Sequence, residues 1–314
     1  MSFLSTAVQD VLDRGHFCAV AALTPRGPHC TPLVYAASGA RVWLTTSRRS
    51  VKARAWRDDT SIAGLVRAED LAVTFTGNVR TYDALDSRTW GSAVAGATSI
   101  ARATATFSRK NARFFAGYAV DAKQVPLAWT PPGRVFVGVD LDRTALLDDQ
   151  GVQEGRGRWG GEPASHASFR NTKADDPFAV LPDDVREGVG RAGVGALAIA
   201  GQRGLVVLPV RWRAEENALF AALPAETLAL ADAEADSPVA LMVDRPSVWR
   251  ARDMVGAMFQ GTASCFVDGV VGSGAGSLRS IASVFGPGAT ALVRVRPARA
   301  VWWRGWTSGS ADVG

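Results

Sequence analysis

FCAVAALTPRGPHCTPLVYAASGARVWLTTSRRSVKARAWRDDTSIAGLV, residues 17–66, lies over VGALAIAGQRGLVVLPVRWRAEENALFAALPAETLALADAEADSPVALMV, residues 194–243, without a gap. Nine of the fifty positions are identical, among them Arg26-Gly27 over Arg203-Gly204, Pro32 over Pro209, Asp59 over Asp236 and Ala63 over Ala240. Identity that sparse says little alone, but the punctuation coincides too: strand, Arg-Gly turn, strand entering at a proline, third strand, polar turn, helix, further strand. Apolar alternation marks the strands in both copies, with Val42-Trp43-Leu44 over Leu219-Phe220-Ala221. Phe75-x-Gly77 then matches Phe259-x-Gly261, and Val139 to Leu147 matches Val295 to Trp303, at changed offsets. Length differences therefore fall between strands, where insertions cost least. The chain reads as one unit duplicated.

The copies part company at the polar turn. Thr45-Thr46-Ser47-Arg48-Arg49-Ser50-Val51-Lys52-Ala53-Arg54 in the first becomes Ala222-Leu223-Pro224-Ala225-Glu226-Thr227-Leu228-Ala229-Leu230-Ala231 in the second. A phosphate needs fixed donors and positive charge, and a strand-to-helix turn offers both through free backbone N–H groups and the helix dipole. Ser50 stands at the helix start, Thr45 and Thr46 bring hydroxyls, Lys52 is a mobile point charge, and Arg54 is a planar fork. Taken alone, Ser50 could be a plain N-cap and the cations a solvated face. Loss of the basic residues and most hydroxyls from the second copy favours a phosphate site in the first.

A length of 314 residues suits about two domains. The boundaries fall at 1–148 for the first unit, 149–190 for a linker with a short helix, 191–306 for the second unit and 307–314 for a loose tail. With 47% hydrophobic and 21% charged residues, and no apolar run long enough for a membrane span, the composition is that of a soluble globular protein. The start Met1-Ser2-Phe3-Leu4-Ser5 lacks an export signal, so the expected location is the cytoplasm, with no membrane partner. Three cysteines (Cys18, Cys30, Cys265) and three histidines (His16, His29, His166) fit neither a disulfide framework nor a metal site. The net charge of +5 comes almost wholly from arginines scattered along the chain, with no nucleic-acid motif.

Each unit is expected to form six or seven strands with short connections, closing as a Greek-key barrel that leaves no exposed edge. The fold class is mainly β with helices (α+β). An opening helix over Ser5–Arg14 stops at Gly15, a short helix covers Ser50–Arg57, and one or two helices span Asp86–Tyr118.

The run Phe17-x-Ala-Val-Ala, Arg26-Gly27-Pro28-His29-x-Thr31-Pro32, Val42-Trp43-Leu44-Thr45-Thr46-x4-Val51-Lys52-x-Arg54, Asp58-Asp59-x3-Ala63 and Phe75-x-Gly77 resembles the split β-barrel flavin-binding superfamily. That group includes pyridoxamine 5′-phosphate oxidase-like proteins and flavin/deazaflavin oxidoreductases that use FMN or coenzyme F420. The resemblance covers most of residues 10–147, with a degraded version over 190–306. It implies two split barrels standing in one chain for the two subunits of a homodimer, with the cofactor in the cleft between them. By position, Thr45, Thr46, Ser50, Lys52 and Arg54 would hold the cofactor phosphate, while Pro32, Val34 and Tyr35 would lie along the ring. Arg211 and Trp212, with Trp303 and Arg304 beside Trp302 and Trp306, would form the opposite wall; packing is the alternative for these aromatics.

The function so implied is FMN- or F420-dependent hydride transfer to or from a small organic substrate, with one cofactor per chain and no assigned catalytic side chain. Two alternatives stand beside it: a non-enzymatic flavin or haem carrier, and a cofactor-free degenerate barrel. The chain is expected to be a monomeric pseudo-dimer, with further pairing of chains left open.

Overall fold

The computed structural model describes residues 4–126, 130, 133–161, 176–215, 218–267 and 290–313. The connecting stretch 162–175, with His166, and the stretch 268–289, between the second Phe-x-Gly motif and the last strand of the second unit, lie outside the described residues.

Helix α1 (Thr6–Arg14) is capped by Ser5, whose hydroxyl accepts the Val8 N–H at 3.2 Å, and buries Val8, Val11 and Leu12. It stops at Gly15, though not through a left-handed residue, since φ is −61°. Glycine is needed there for space: a Cβ would run into the Val66 side chain and lie 2.8 Å from the Tyr35 hydroxyl.

Strands β1 (Phe17–Thr24), β2 (Gly27–Ser38), β3 (Arg41–Ser47), β4 (Ser61–Ala68), β5 (Leu71–Tyr82) and β6 (Arg134–Leu147) follow. They form an antiparallel sheet in the order β3-β2-β1-β4-β5-β6, closed by pairing of β3 with β6; β7 (Val152–Arg156) extends it beside β6. Helix α2 (Val51–Asp58) joins β3 to β4, and α3 (Trp90–Ala95), α4 (Ala97–Lys110) and α5 (Ala112–Val120) fill the insertion before β6. After α6 (Asp183–Val189) the pattern repeats in β8 (Ala192–Gly201), β9 (Gly204–Glu215), β10 (Ala218–Leu223), α7 (Ala225–Ala229), β11 (Pro238–Arg245), β12 (Val255–Val267) and β13 (Ala291–Arg304). The order β10-β9-β8-β11-β12-β13 is the same, and β10 closes on β13. The protein is thus α+β, built from two closed six-stranded antiparallel barrels in tandem, and closure removes the edges an open sheet would expose.

The repeated punctuation has physical causes. Gly27 and Gly204, the glycines of the two Arg-Gly turns, have φ of 91° and 95°, a region that side chains rarely enter. Gly77 and Gly261, ending the two Phe-x-Gly motifs, sit at register shifts where the facing strand crowds in, and a Cβ would overlap the carbonyl oxygens of Asp140 and Arg296.

The barrels pack as a pseudo-two-fold pair. Cys30 on β2 donates its N–H to Met258 Sδ on β12 at 3.0 Å; at the equivalent place the Thr74 hydroxyl on β5 donates to the Val207 carbonyl on β9 at 2.6 Å. Ala21, Cys30, Ala63, Leu65, Ala72 and Leu147 of the first barrel join one buried cluster with the core of the second. Burial of such a continuous apolar surface is what holds tandem barrels in one body.

Residues 307–312, expected to be loose, form strand β14 (Thr307–Asp312) beside β13. The run Thr-Ser-Gly-Ser-Ala-Asp has no apolar alternation to announce a strand; the ladder and the Trp302 indole lying over Gly309 hold it in place. Among the described residues no helix is long and apolar enough to cross a membrane, and no group of histidine, cysteine and acidic side chains could hold a metal ion.

Candidate functional site

Strand β3 runs into α2 through the turn singled out by the sequence. Ser50 caps α2, its hydroxyl accepting the Ala53 N–H at 3.1 Å and a hydrogen bond from Thr46 Oγ1 at 3.0 Å. Lys52, one residue into the helix, is only 3% exposed and turns back to donate its Nζ to the Thr31 hydroxyl on β2. Burial pulls its pKa down to about 8, and no carboxylate among the described residues acts on it. Burial, then the Lys52 charge, also holds the neighbouring His29 imidazole neutral, down to about 3.

These groups line one end of a cleft of about 360 Å³ between the barrels. Thr46, Ser47, Ser50, Lys52 and Arg134 make the polar end; Phe17, Pro32, Leu33 and Val34 make one wall. The second barrel supplies the other wall from Met254, Val301, Trp302, Trp303 and Trp306, with Thr307 and Ser308 of β14. Helix α5 closes a side with Phe114 and Tyr118, which meet Phe17 and Trp306 edge-on at 5.9 and 5.3 Å. Among the described residues no carboxylate lines the cleft, and its two cations, Lys52 and Arg134, both stand at the polar end, which is therefore positive.

Arg134 is the residue that sequence reasoning missed. It begins β6 opposite Ser47 and donates to the Thr45 carbonyl at 2.8 Å and hydroxyl at 3.0 Å, with burial lowering its pKa. The signal was available: the residue in the equivalent place, just before β13, is Thr290, so the second copy lacks a positive charge there just as in the turn.

The structure brings Thr46, Ser50, Lys52, Pro32, Val34 and Trp303 together in the cleft. Alternation along a strand keeps neighbours apart. Tyr35 points into the first barrel, donating to the Leu12 carbonyl at 2.7 Å, and Trp212 points into the second, stacked on Phe178 at 5.8 Å. Thr45 faces Arg134 rather than the cleft. Arg54 is exposed on the outer side of α2, and Arg48 is taken by Asp83 through two hydrogen bonds of 2.6 and 2.7 Å. Arg304 pairs with Asp184 at 2.9 Å, outside the cleft.

Arg211 belongs to a second cleft, about 380 Å³, related to the first by the pseudo-two-fold. Val194, Pro209, Val210, Arg211, Leu223 and Pro224 stand there where Phe17, Pro32, Leu33, Val34, Thr46 and Ser47 stand in the first. Glu69, Asp70, Asp148 and Asp149 line its other wall, so the donor-rich end has become apolar and the far wall acidic.

The first cleft fits a planar anionic group. A buried ammonium lacking a counter-charge among the described residues is costly unless an anion meets it, three hydroxyls stand beside it, and the Trp303 Nε1 of the facing wall is buried with no acceptor among the described residues.

No family model and no curated protein matches the chain. Among solved structures it is similar to a pyridoxamine 5′-phosphate oxidase-related, FMN-binding protein from Nostoc punctiforme, at 16% identity over 48% of this chain and 88% of that one, TM-score 0.34. A conserved hypothetical protein from Mycobacterium tuberculosis matches at 22% identity over 46% and 85% of the two chains, TM-score 0.33. An F420 reductase matches at 16% identity over 45% and 98%, TM-score 0.30.

Proposed function

We propose that the protein is an oxidoreductase holding one flavin or deazaflavin cofactor, FMN or coenzyme F420, in the first cleft by its phosphate. The observation that carries this reading is Lys52: a buried ammonium with no carboxylate against it among the described residues, set among hydroxyls at a helix start. The likeness of residues 10–147 to the split-barrel superfamily supplies the two cofactor classes.

Lys52, Ser50, Thr46 and the first N–H groups of α2 would hold the phosphate, and Arg134 would add a second cation at the same end. Pro32 and Val34 would support one face of the ring and Trp303 the other. When bound, such a ring accepts or gives up a hydride. The chain's own part is to anchor the phosphate with Lys52 and Arg134, orient the ring, and exclude water with Phe17, Phe114, Tyr118 and Trp306. A small organic substrate would enter at the aromatic end.

Titration of FMN and F420 into cofactor-stripped protein, followed by fluorescence, tests the reading. One equivalent of one ligand should bind, and Lys52→Ala or Arg134→Ala should each cost about 2–5 kcal/mol of affinity. Failure of both ligands to bind would overturn it. Rapid reduction or reoxidation of the bound cofactor by an organic substrate separates an enzyme from a carrier.

A further inference from the structure

Helix α5 is apolar on both of its sides. One side, Phe114, Gly117 and Tyr118, packs on the cleft and on the second barrel; the other leaves Phe115, Ala116, Ala119 and Val120 exposed, with Val120 at 64%. Trp249 and Val248 continue the exposed surface: the Trp249 carbonyl sits against Gly117, and the Arg113 guanidinium stacks over its indole at 5.4 Å. Among the described residues, seven of the ten exposed large apolar side chains fall on the 85–120 insertion and these two loop positions, so the exposure is concentrated. A helix with large apolar side chains on two opposite sides is ordinarily covered on both.

Charge indicates the cover. Residues 85–123 hold six basic and two acidic side chains, a net +4 of the chain's +5. Both carboxylates are already tied, Asp86 to Arg88 at 2.8 Å and Asp121 to Arg250. Arg102, Arg109, Arg113 and Lys123 are exposed and make no ion pair among the described residues. Exposed apolar and aromatic side chains on α5, with exposed cations on α5 (Arg113), on the preceding α4 (Arg102, Arg109) and just after α5 (Lys123), match the two terms of interfacial lipid binding, shallow apolar insertion and attraction to anionic headgroups.

We infer that the outer face of α5, with Trp249, is a docking surface for an anionic membrane, on which the protein lies peripherally without spanning it. The inference is independent of which cofactor the cleft takes. Because Phe114 and Tyr118 on the same helix line that cleft, docking would set its aromatic side close to the lipid.

The test is sedimentation of the full chain with vesicles of phosphatidylcholine alone and of phosphatidylcholine mixed with phosphatidylglycerol. Binding is expected to the mixed vesicles only, and to fall with added salt. Each cation removed should weaken it about fivefold, so Arg109→Ala, Arg113→Ala and Lys123→Ala together should weaken it about a hundredfold. Val120→Asp, which touches no core, should abolish it while circular dichroism stays unchanged. Failure to bind either vesicle, or equal binding to both with no loss in the variants, overturns the inference. So does self-association of the chain that Val120→Asp dissolves, since a second copy would then be the cover.

Discussion

Lys52 on α2 donates to the hydroxyl of Thr31 on β2, and among the described residues this neutral group is the one hydrogen-bond partner of a buried ammonium. Its folded pKa of about 8 lies below the ordinary 10.5. Between those values the unfolded chain keeps a proton that the folded chain releases, so ligand-free stability should rise with pH across this window. Below about pH 8 the full cost is present, on the order of 2–4 kcal/mol. Lys52→Met should therefore stabilise the ligand-free protein at neutral pH while weakening cofactor binding. A bound phosphate would lift the pKa again, so affinity should fall as pH rises above about 8, with proton uptake on binding. Calorimetry in buffers of different ionisation enthalpy reads both, and affinity flat from neutral to alkaline pH would contradict the role given to Lys52.

The two clefts should not share one ligand. The second has Ala222, Leu223 and Pro224 in place of Thr45, Thr46 and Ser47, and four carboxylates on its far wall. Like charges facing a phosphate in a partly desolvated cleft cost several kcal/mol. Isothermal titration should give one equivalent of cofactor per chain, and Asp148→Ala should leave that number and the affinity unchanged. A stoichiometry of two would mean that the second cleft still binds.

The barrels were legible in the sequence because their turns depend on backbone constraints that leave residue-type traces: glycine at Gly27 and Gly204 for positive φ, and at Gly77 and Gly261 for close strand approach. The lysine of the site was legible because it sits in the turn itself. What could not be read was direction. Tyr35 and Val34 are neighbours, and only the pairing of β1 and β2 decides that Val34 faces the cleft while Tyr35 closes over α1. Arg134 lies 87 residues beyond Ser47 in the chain and reaches the turn only because β6 closes the barrel on β3. Strand β14 carries no apolar alternation, so neighbours rather than local pattern make it a strand.

Gly77→Ala should be among the most damaging single-methyl additions in the chain. The new Cβ would overlap the Asp140 carbonyl oxygen across the bulge, and backbone cannot move aside as a side-chain tip can. Overpacking of this kind costs about 1–3 kcal/mol, several degrees of melting temperature in a protein of this size. Gly261→Ala should match it, because Arg296 stands in the equivalent place. Gly39→Ala is the control: its φ of 63° strains a side chain, but nothing lies within 4 Å of a Cβ there, so its loss should be smaller. Thermal denaturation of the three variants ranks them, and equal losses would remove the steric explanation of the motif.

Asp121 fastens α5 to the second barrel. Its side chain is 2% exposed, accepts Arg250 Nε at 3.2 Å and a second Arg250 donor, and has Arg252 at 3.5 Å. The Arg250 hydrogen bonds hold its carboxyl below the ordinary carboxylate range. A depressed acid stabilises above its unfolded pKa and loses that contribution as pH falls through the folded value, so the fastening should be intact at neutral pH and released only in acid. Asp121→Asn keeps the shape and removes the charge. It should speed amide hydrogen exchange across Ala112–Val120 at neutral pH, leave the strands of both barrels protected, and disturb the edge-on contact of Tyr118 with Trp306 at the cleft. If exchange in α5 is the same in the variant as in the parent, the helix is held by its packing on β2 and Trp249 alone, and the ion pair plays no part in shaping the cleft.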